Sequence, residues 1–233
     1  MIEQQRLIRK AAEYGIDAAL IAQKLAQYAS ILVSYNEKVN LTAITDAEGI
    51  ENKHFIDSLL LASCPQVRGK VVDVGTGAGF PGIVTKLYKP EIELTLLEPT
   101  GKRVDFLRYA CAELGIEAEF AKERAEEAAR KQWREVFDVA TARAVAALPV
   151  LAEYCLPLVR VGGTFIAMKG SGAEEELESA RGAVEKLGGK YQDRRLFTLP
   201  DGSARTLLVL KKISETAPVS PRNGGKIAKA PLR

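Results

Sequence analysis

The chain is expected to fold as a layered α/β protein: a mostly parallel sheet covered by helices, ending in an antiparallel hairpin and preceded by a helical extension. Three observations lead there. Short apolar runs alternate with helix-period segments from Lys70 onward. The first of these runs, Val71-Val72-Asp73-Val74, opens directly into a glycine turn. The last two strand-like runs are separated only by a short turn at Pro200-Asp201-Gly202, which suits a hairpin.

The N-terminal third reads as helical. Ile21, Leu25, Tyr28, Leu32 and Tyr35 follow the spacing of an amphipathic helix, with Asp17 as its candidate N-cap. Thr45 with Glu48 three residues later has the form of a capping box, and the helix it opens should run through His54 and Asp57 to about Ala62, before Pro65. After the glycine turn, Phe80 to Tyr88 can be helical. Ile92 to Glu98 reads as a second strand. Thr100 opens a helix with Val104, Leu107, Cys111 and Leu114 on one stripe, stopped by Gly115. Further strands are expected near Ala118–Ala121, Phe137–Thr141 and Thr164–Met168, with helices near Leu148–Cys155 and after Ser171. The hairpin strands fall near Arg194–Leu199 and Arg205–Lys211. This divides the chain into a helical extension (1–66), an α/β domain (67–213) and a basic tail (214–233).

Composition narrows the function. The 233 residues have a formal net charge of +3, which permits a nucleic-acid partner without requiring one. Cys64, Cys111 and Cys155 are widely separated and form neither a zinc motif nor a disulfide framework, which fits a reducing compartment. No metal site is expected. No signal-peptide h-region or bilayer-length apolar run occurs, so a cytoplasmic protein is expected. His54 is the single histidine, which weakens any hydrolase reading built on a catalytic histidine.

The central motif is Asp73-Val74-Gly75-Thr76-Gly77-Ala78-Gly79-Phe80-Pro81-Gly82. Glycine there lets the backbone turn sharply and lets a ligand approach without a Cβ in the way. Phe80 occupies the place where a dinucleotide fingerprint needs its third glycine, and no Gly-Lys-Ser/Thr follows, which argues against a nicotinamide site and a P-loop. The next strand closes on Glu98, where a carboxylate can accept the ribose hydroxyls of an adenosine. An acid, three alternating glycines and an acid ending the following strand resemble the pattern of class I, Rossmann-like methyltransferases. The ligand such a turn implies is S-adenosyl-L-methionine.

Further segments resemble one family, the bacterial 16S rRNA guanine-N7 methyltransferase RsmG, also called glucose-inhibited division protein B. They are Tyr35-Asn36-Glu37-Lys38-Val39-Asn40-Leu41-Thr42, His54-Phe55-Ile56-Asp57-Ser58, the turn from Asp73 to Gly82, Arg124-Ala125-Glu126, Thr141-Ala142-Arg143-Ala144-Val145, Met168-Lys169-Gly170 and the tail around Pro221-Arg222. They occur in family order and span nearly the whole chain. The resemblance implies methyl transfer from S-adenosylmethionine to N7 of a guanine, guanine 527 in the usual rRNA numbering, with 16S rRNA or the 30S subunit as partner. It places Gly75, Phe80, Ala125, Glu126 and Arg143 in the cofactor set, beside Asp73, Thr76, Gly77 and Glu98 from the turn pattern. From its surroundings alone, in the charged run Glu123 to Glu127, Glu126 reads as a solvated helix charge. His54 and Asp57 are open between an inter-helix hydrogen bond and an active-site role. No general base is required, because guanine N7 carries a lone pair and no proton.

RNA contact is expected to be electrostatic. The candidates are Arg6, Arg9, Lys10 and Lys169, with Arg222, Lys226 and Lys229 in the tail. From Pro218 onward the tail has four basic residues and no acid, which predicts a mobile RNA-binding arm whose removal barely changes stability. The alternative is a structural strap anchored by Ile227 and Leu232. Other readings are a methyltransferase for another RNA, a protein or a small molecule, a nicotinamide oxidoreductase, and a non-catalytic RNA-binding module.

Overall fold

The computed structural model describes every residue from Met1 to Arg233. Helix α1 (Gln4–Ala12) buries Leu7 and Ala11 and is followed by α2 (Ala22–Asn36), whose Leu25, Tyr28 and Leu32 are fully buried. Asp17 does not cap α2. Its carboxylate accepts from Ala19 N–H at 3.0 Å, closing a turn one step earlier. A continuous helical stretch runs from α3 (Ala47–Gly49) through a π-helical segment, Ile50–Ile56, into α4 (Asp57–Ala62). Its cap is Asp46 rather than Thr45, with the Asp46 side chain accepting from Gly49 N–H at 2.7 Å. The wider π turn carries His54, and such insertions often lie at functional sites.

Beyond this unit the strands are β1 (Lys70–Val74), β2 (Glu93–Leu97), β3 (Glu119–Ala121), β4 (Phe137–Arg143), β5 (Val159–Lys169), β6 (Gly189–Thr198) and β7 (Ala204–Lys212). They form one seven-stranded sheet in the order β3-β2-β1-β4-β5-β7-β6. β1 to β5 pair in parallel, and β7 lies antiparallel between β5 and β6. The hairpin therefore inserts its second strand against β5 and leaves β6 at the edge. The winding direction reverses between β1 and β4, so a crevice opens outside their carboxyl ends.

Helices α5 (Gly82–Tyr88) and α6 (Gly101–Leu114) cover one face, together with the N-terminal unit. The stripe Val104, Leu107, Cys111 and Leu114 is buried, and Gly115 ends α6 at φ 63°. Helices α7 (Ala125–Ala128), α8 (Leu148–Cys155) and α9 (Ala173–Lys186) cover the other face.

The tail is not a loose arm. The Arg134 guanidinium donates to Thr216 O at 2.5 Å and Ser220 O at 2.9 Å, and Arg130 Nε donates to Pro221 O at 2.9 Å. Arg222 forms a two-pronged pair with Glu153 of α8, a carboxylate with no exposed surface, at 2.6 to 3.1 Å. Asn223 caps a short helix, α10 (Gly224–Lys229), whose Ile227 is fully buried, and Leu232 packs against the core that includes Leu151, Ala152 and Cys155 of α8. Composition implied disorder because it counts charges without their partners. Here the partners are Glu153, Arg130 and Arg134, remote in sequence.

Candidate cofactor site

Asp73 is the foundation of the glycine turn. Its Oδ2 accepts from Thr76 Oγ1 at 2.5 Å and from Gly82 N–H at 2.8 Å, tying both ends of the turn to β1. Burial pushes this carboxyl up to about 6, against the lowering effect of those two bonds and of Arg143. A Cβ on Gly82 would approach Asp73 Oδ2 to 2.8 Å and Leu96 Cδ2 to 2.6 Å, so glycine is required there for close packing. Gly77, at φ 59°, serves differently. The position its Cβ would take meets only Gly75 O at 3.9 Å, so the backbone is left accessible.

Beside the turn lies a cavity of about 300 Å³, a size that suits a small ligand. Gly75, Glu98, Ala125 and Glu126 line it, together with Thr100, Arg103, Arg124, Val145 and Tyr154. Glu98 is buried. Its Oε2 accepts from Gly77 N–H at 3.1 Å and its Oε1 from Thr100 N–H at 2.9 Å. A carboxylate has about four acceptor sites, so two bonds leave capacity for a diol. The residues present fit an adenosyl group: the Glu98 carboxylate with spare acceptor capacity, the turn residue Gly75 and a second buried acid, Glu126, line one cavity.

Asp73, Thr76, Gly77, Phe80 and Arg143 do not line that cavity. Asp73 and Thr76 act through the shape of the turn. Phe80 and Arg143 belong to a second cluster. The Phe80 ring is stacked between Tyr28, at 5.0 Å between centroids, and the His54 imidazole, at 4.4 Å. Arg143 lies 5.4 Å from the Phe80 centroid and donates through Nη1 to Lys53 O at 2.7 Å and Asp57 Oδ2 at 3.0 Å. Asp57 Oδ1 forms an ion pair with Arg205 of β7 at 2.6 Å. Two arginines thus share one fully buried carboxylate. Burial, reinforced by the Arg143 charge, pushes the His54 imidazole down to about 3, so it is neutral at physiological pH.

Sequence reasoning missed Tyr28, Thr42 as a contact of His54, and Arg205. It also missed Ala144, which links the two clusters at φ 55°, an uncommon backbone state for a residue with a Cβ. Only the resemblance around Arg143 flagged that segment.

The proposed RNA contacts fare unevenly. Arg6 and Lys10 pair with the fully buried Glu51, at 2.6 and 3.0 Å. Lys169 is buried, pairing with Glu176 and donating to Ala146 O, both at 2.7 Å. Arg222 is committed to Glu153. These four side chains serve the fold. Arg9, Lys226 and Lys229 are exposed, and Arg9 has only a 3.7 Å contact to Glu3.

A parallel sheet with an antiparallel seventh strand, a glycine turn after β1 and an acid closing β2 define the class I methyltransferase fold. A solved S-adenosylmethionine-dependent O-methyltransferase from Thermotoga maritima shares it, with a TM-score of 0.51 at 12% identity over 79% of this chain and 72% of that one. Geranyl diphosphate methyltransferase, solved in complex with S-adenosylmethionine, gives a TM-score of 0.52 at 13% identity over 67% of this chain and 84% of that one. Residues 21–200 match the family described as rRNA small subunit methyltransferase G. A relative of that name from Alkaliphilus metalliredigens is 47% identical over 91% of this chain and 90% of its own length. Another, from Desulfitobacterium hafniense, is 43% identical over 99% of this chain and 98% of its own. The chain belongs to the rRNA small subunit methyltransferase G family. No helix is long and apolar enough to cross a membrane.

Proposed function

We propose that the protein transfers a methyl group from S-adenosyl-L-methionine to N7 of a guanine in 16S rRNA, guanine 527 in the usual rRNA numbering, in free rRNA or the 30S subunit. The observation that carries this reading is convergence. Thr42, His54 and Asp57 lie in two separate family segments, and they meet Phe80 of the glycine turn and Arg143 of β4 at one spot beside the cavity.

The cofactor, when bound, supplies an electrophilic methyl group on a sulfonium. Glu98 would accept its ribose hydroxyls, the Gly75–Gly77 backbone would flank its methionine end, and Ala125 and Glu126 would border its adenine. Arg143 is held beside the turn as a donor to an anionic or carbonyl oxygen. Guanine N7 would take the methyl with its own lone pair while the S–CH3 bonding pair stays on the departing thioether, so no residue needs to remove a proton. The chain's contribution is alignment and exclusion of water. The chemistry of the second cluster supports this acceptor. Its one imidazole is neutral, with Nδ1 engaged by Arg143, and is not poised as a base. Arg9, Lys226 and Lys229 are the remaining candidates for phosphate contacts.

The chemical rate, measured in single turnover with saturating 30S subunits, tests the acceptor. It is expected to be flat above about pH 7 and to fall below about pH 6. There Asp73 takes up a proton and weakens its hold on Thr76 and Gly82. A rate that keeps climbing tenfold per pH unit above 7 would signal proton abstraction and an acceptor other than N7.

A further inference from the structure

The N-terminal helices do more than cover the sheet. Tyr28 donates its hydroxyl to Ala78 O inside the glycine turn and stacks on one face of Phe80. His54 stacks on Phe80 with an interplanar angle of 15°. Arg143 Nη2 lies 3.3 Å from His54 Nδ1 and can only donate, so the pair is a hydrogen bond when Nδ1 is the unprotonated nitrogen; Lys53 O, which already accepts from Arg143 Nη1 at 2.7 Å, lies 3.2 Å from the same Nδ1. In that tautomer the ring proton is on Nε2, which reaches Thr42 Oγ1 at 3.1 Å. Thr42 is itself held. Its Oγ1 accepts from Ile44 N–H at 3.1 Å. The Asn36 amide clamps the same loop, its Oδ1 accepting from Leu41 N–H and Thr42 N–H at 2.8 and 3.0 Å and its Nδ2 donating to Thr42 O at 3.1 Å.

We infer that Asn36, Thr42 and His54 form a positioning relay that orients Arg143, so that the N-terminal unit sets the geometry of the cofactor site. The inference rests on the proposed role of Arg143 in that site. The physical case is one of restricted choice. Arg143 has five N–H donors in a fixed fork. Nη1 is spent on Lys53 O and Asp57, and one Nη2 hydrogen on His54. His54 engages Nη2, the terminal nitrogen that Lys53 O and Asp57 leave, and so holds the second arm of the fork. An imidazole does this as an acceptor only in the Nε2–H tautomer, in which Thr42 Oγ1 accepts from the ring. Arg205, Lys53 and Asp73 are the other charged groups around the cluster, and Arg205 reaches it through Asp57 rather than His54.

The test separates hydrogen bonding from packing. His54→Phe keeps a ring against Phe80 and removes both hydrogen bonds. His54→Gln keeps an acceptor for Arg143 and a donor for Thr42. Thr42→Val removes only the hydroxyl. S-adenosylhomocysteine affinity is measured by calorimetry without RNA, and kcat and KM for the 30S subunit separately. The expected result for His54→Phe is a cofactor affinity at least tenfold weaker at an unchanged melting temperature. Thr42→Val should show a smaller loss of the same kind, and His54→Gln should recover most of the affinity. KM for the 30S subunit should hold. Wild-type cofactor affinity in folded His54→Phe would overturn the relay, as would failure of His54→Gln to exceed His54→Phe. If His54→Phe does not fold, Thr42→Val decides, and wild-type affinity there overturns the relay. Because affinity is read without RNA, a wrong acceptor assignment would appear as wild-type protein that binds cofactor but does not methylate guanine N7, leaving the relay result intact.

Discussion

Arg222→Ala is expected to lower the melting temperature by about 10 °C. The substitution leaves Glu153, which has no exposed surface, without its guanidinium. Breaking a buried pair on one side costs about 3–5 kcal/mol, and in a domain of this size each kcal/mol moves the transition by roughly 2–4 °C. The double variant Arg222→Leu/Glu153→Leu should recover a good part of the loss, because no uncompensated charge then remains. Truncation before Pro218 should be at least as damaging, since it also removes the fully buried Ile227. It should weaken cofactor binding as well, because Gly224 lies directly against the Glu126 carboxylate that borders the cavity. Thermal unfolding followed by circular dichroism decides the matter. A shift under about 2 °C for Arg222→Ala would mean that the tail is undocked in solution.

Gly77→Val is expected to weaken S-adenosylmethionine binding by about thirtyfold or more in a protein that still folds. No protein side chain opposes a Cβ at this position, so the fold can accept the residue. The backbone cannot accept it in place. At φ 59° a β-branched side chain is strained by about 1–3 kcal/mol. The free turn relaxes out of that state and loses the Gly77 N–H bond to Glu98, and binding must then restore both. About 2 kcal/mol corresponds to roughly thirtyfold in affinity. Calorimetric titration gives the answer, and wild-type affinity in a folded Gly77→Val protein would remove the turn from the cofactor site.

Much of the architecture was legible because local signals agreed with the global fold. The Val71–Val74 run, the α6 stripe ending at Gly115 and the Pro200-Asp201-Gly202 turn each carry one unambiguous pattern. Caps were misplaced by a residue or a turn, as at Asp46 and Asp17, where neighbouring oxygens compete for the same N–H groups. The site was legible in parts. Gly75, Glu98, Ala125 and Glu126 line one cavity, as the motifs imply. Arg143 was visible as an arginine at a strand end, but its partners Asp57 and His54 lie 86 and 89 positions away. The basic residues were the least legible. Arg6, Lys10, Lys169 and Arg222 look like surface charges until their acids, Glu51, Glu176 and Glu153, are brought alongside by the fold.

The measurement that bears most directly on the assignment is the position and chemistry of the methyl group. The protein would be incubated with 30S subunits from a strain lacking this modification and with labelled S-adenosylmethionine, and the 16S rRNA then digested and mapped. The expected result is one labelled nucleotide, a guanosine methylated at N7, at position 527 in the usual rRNA numbering and sensitive to reductive cleavage at that site. Label on an exocyclic amine, a ribose hydroxyl or a different base, or transfer to protein with none to rRNA, would contradict the account.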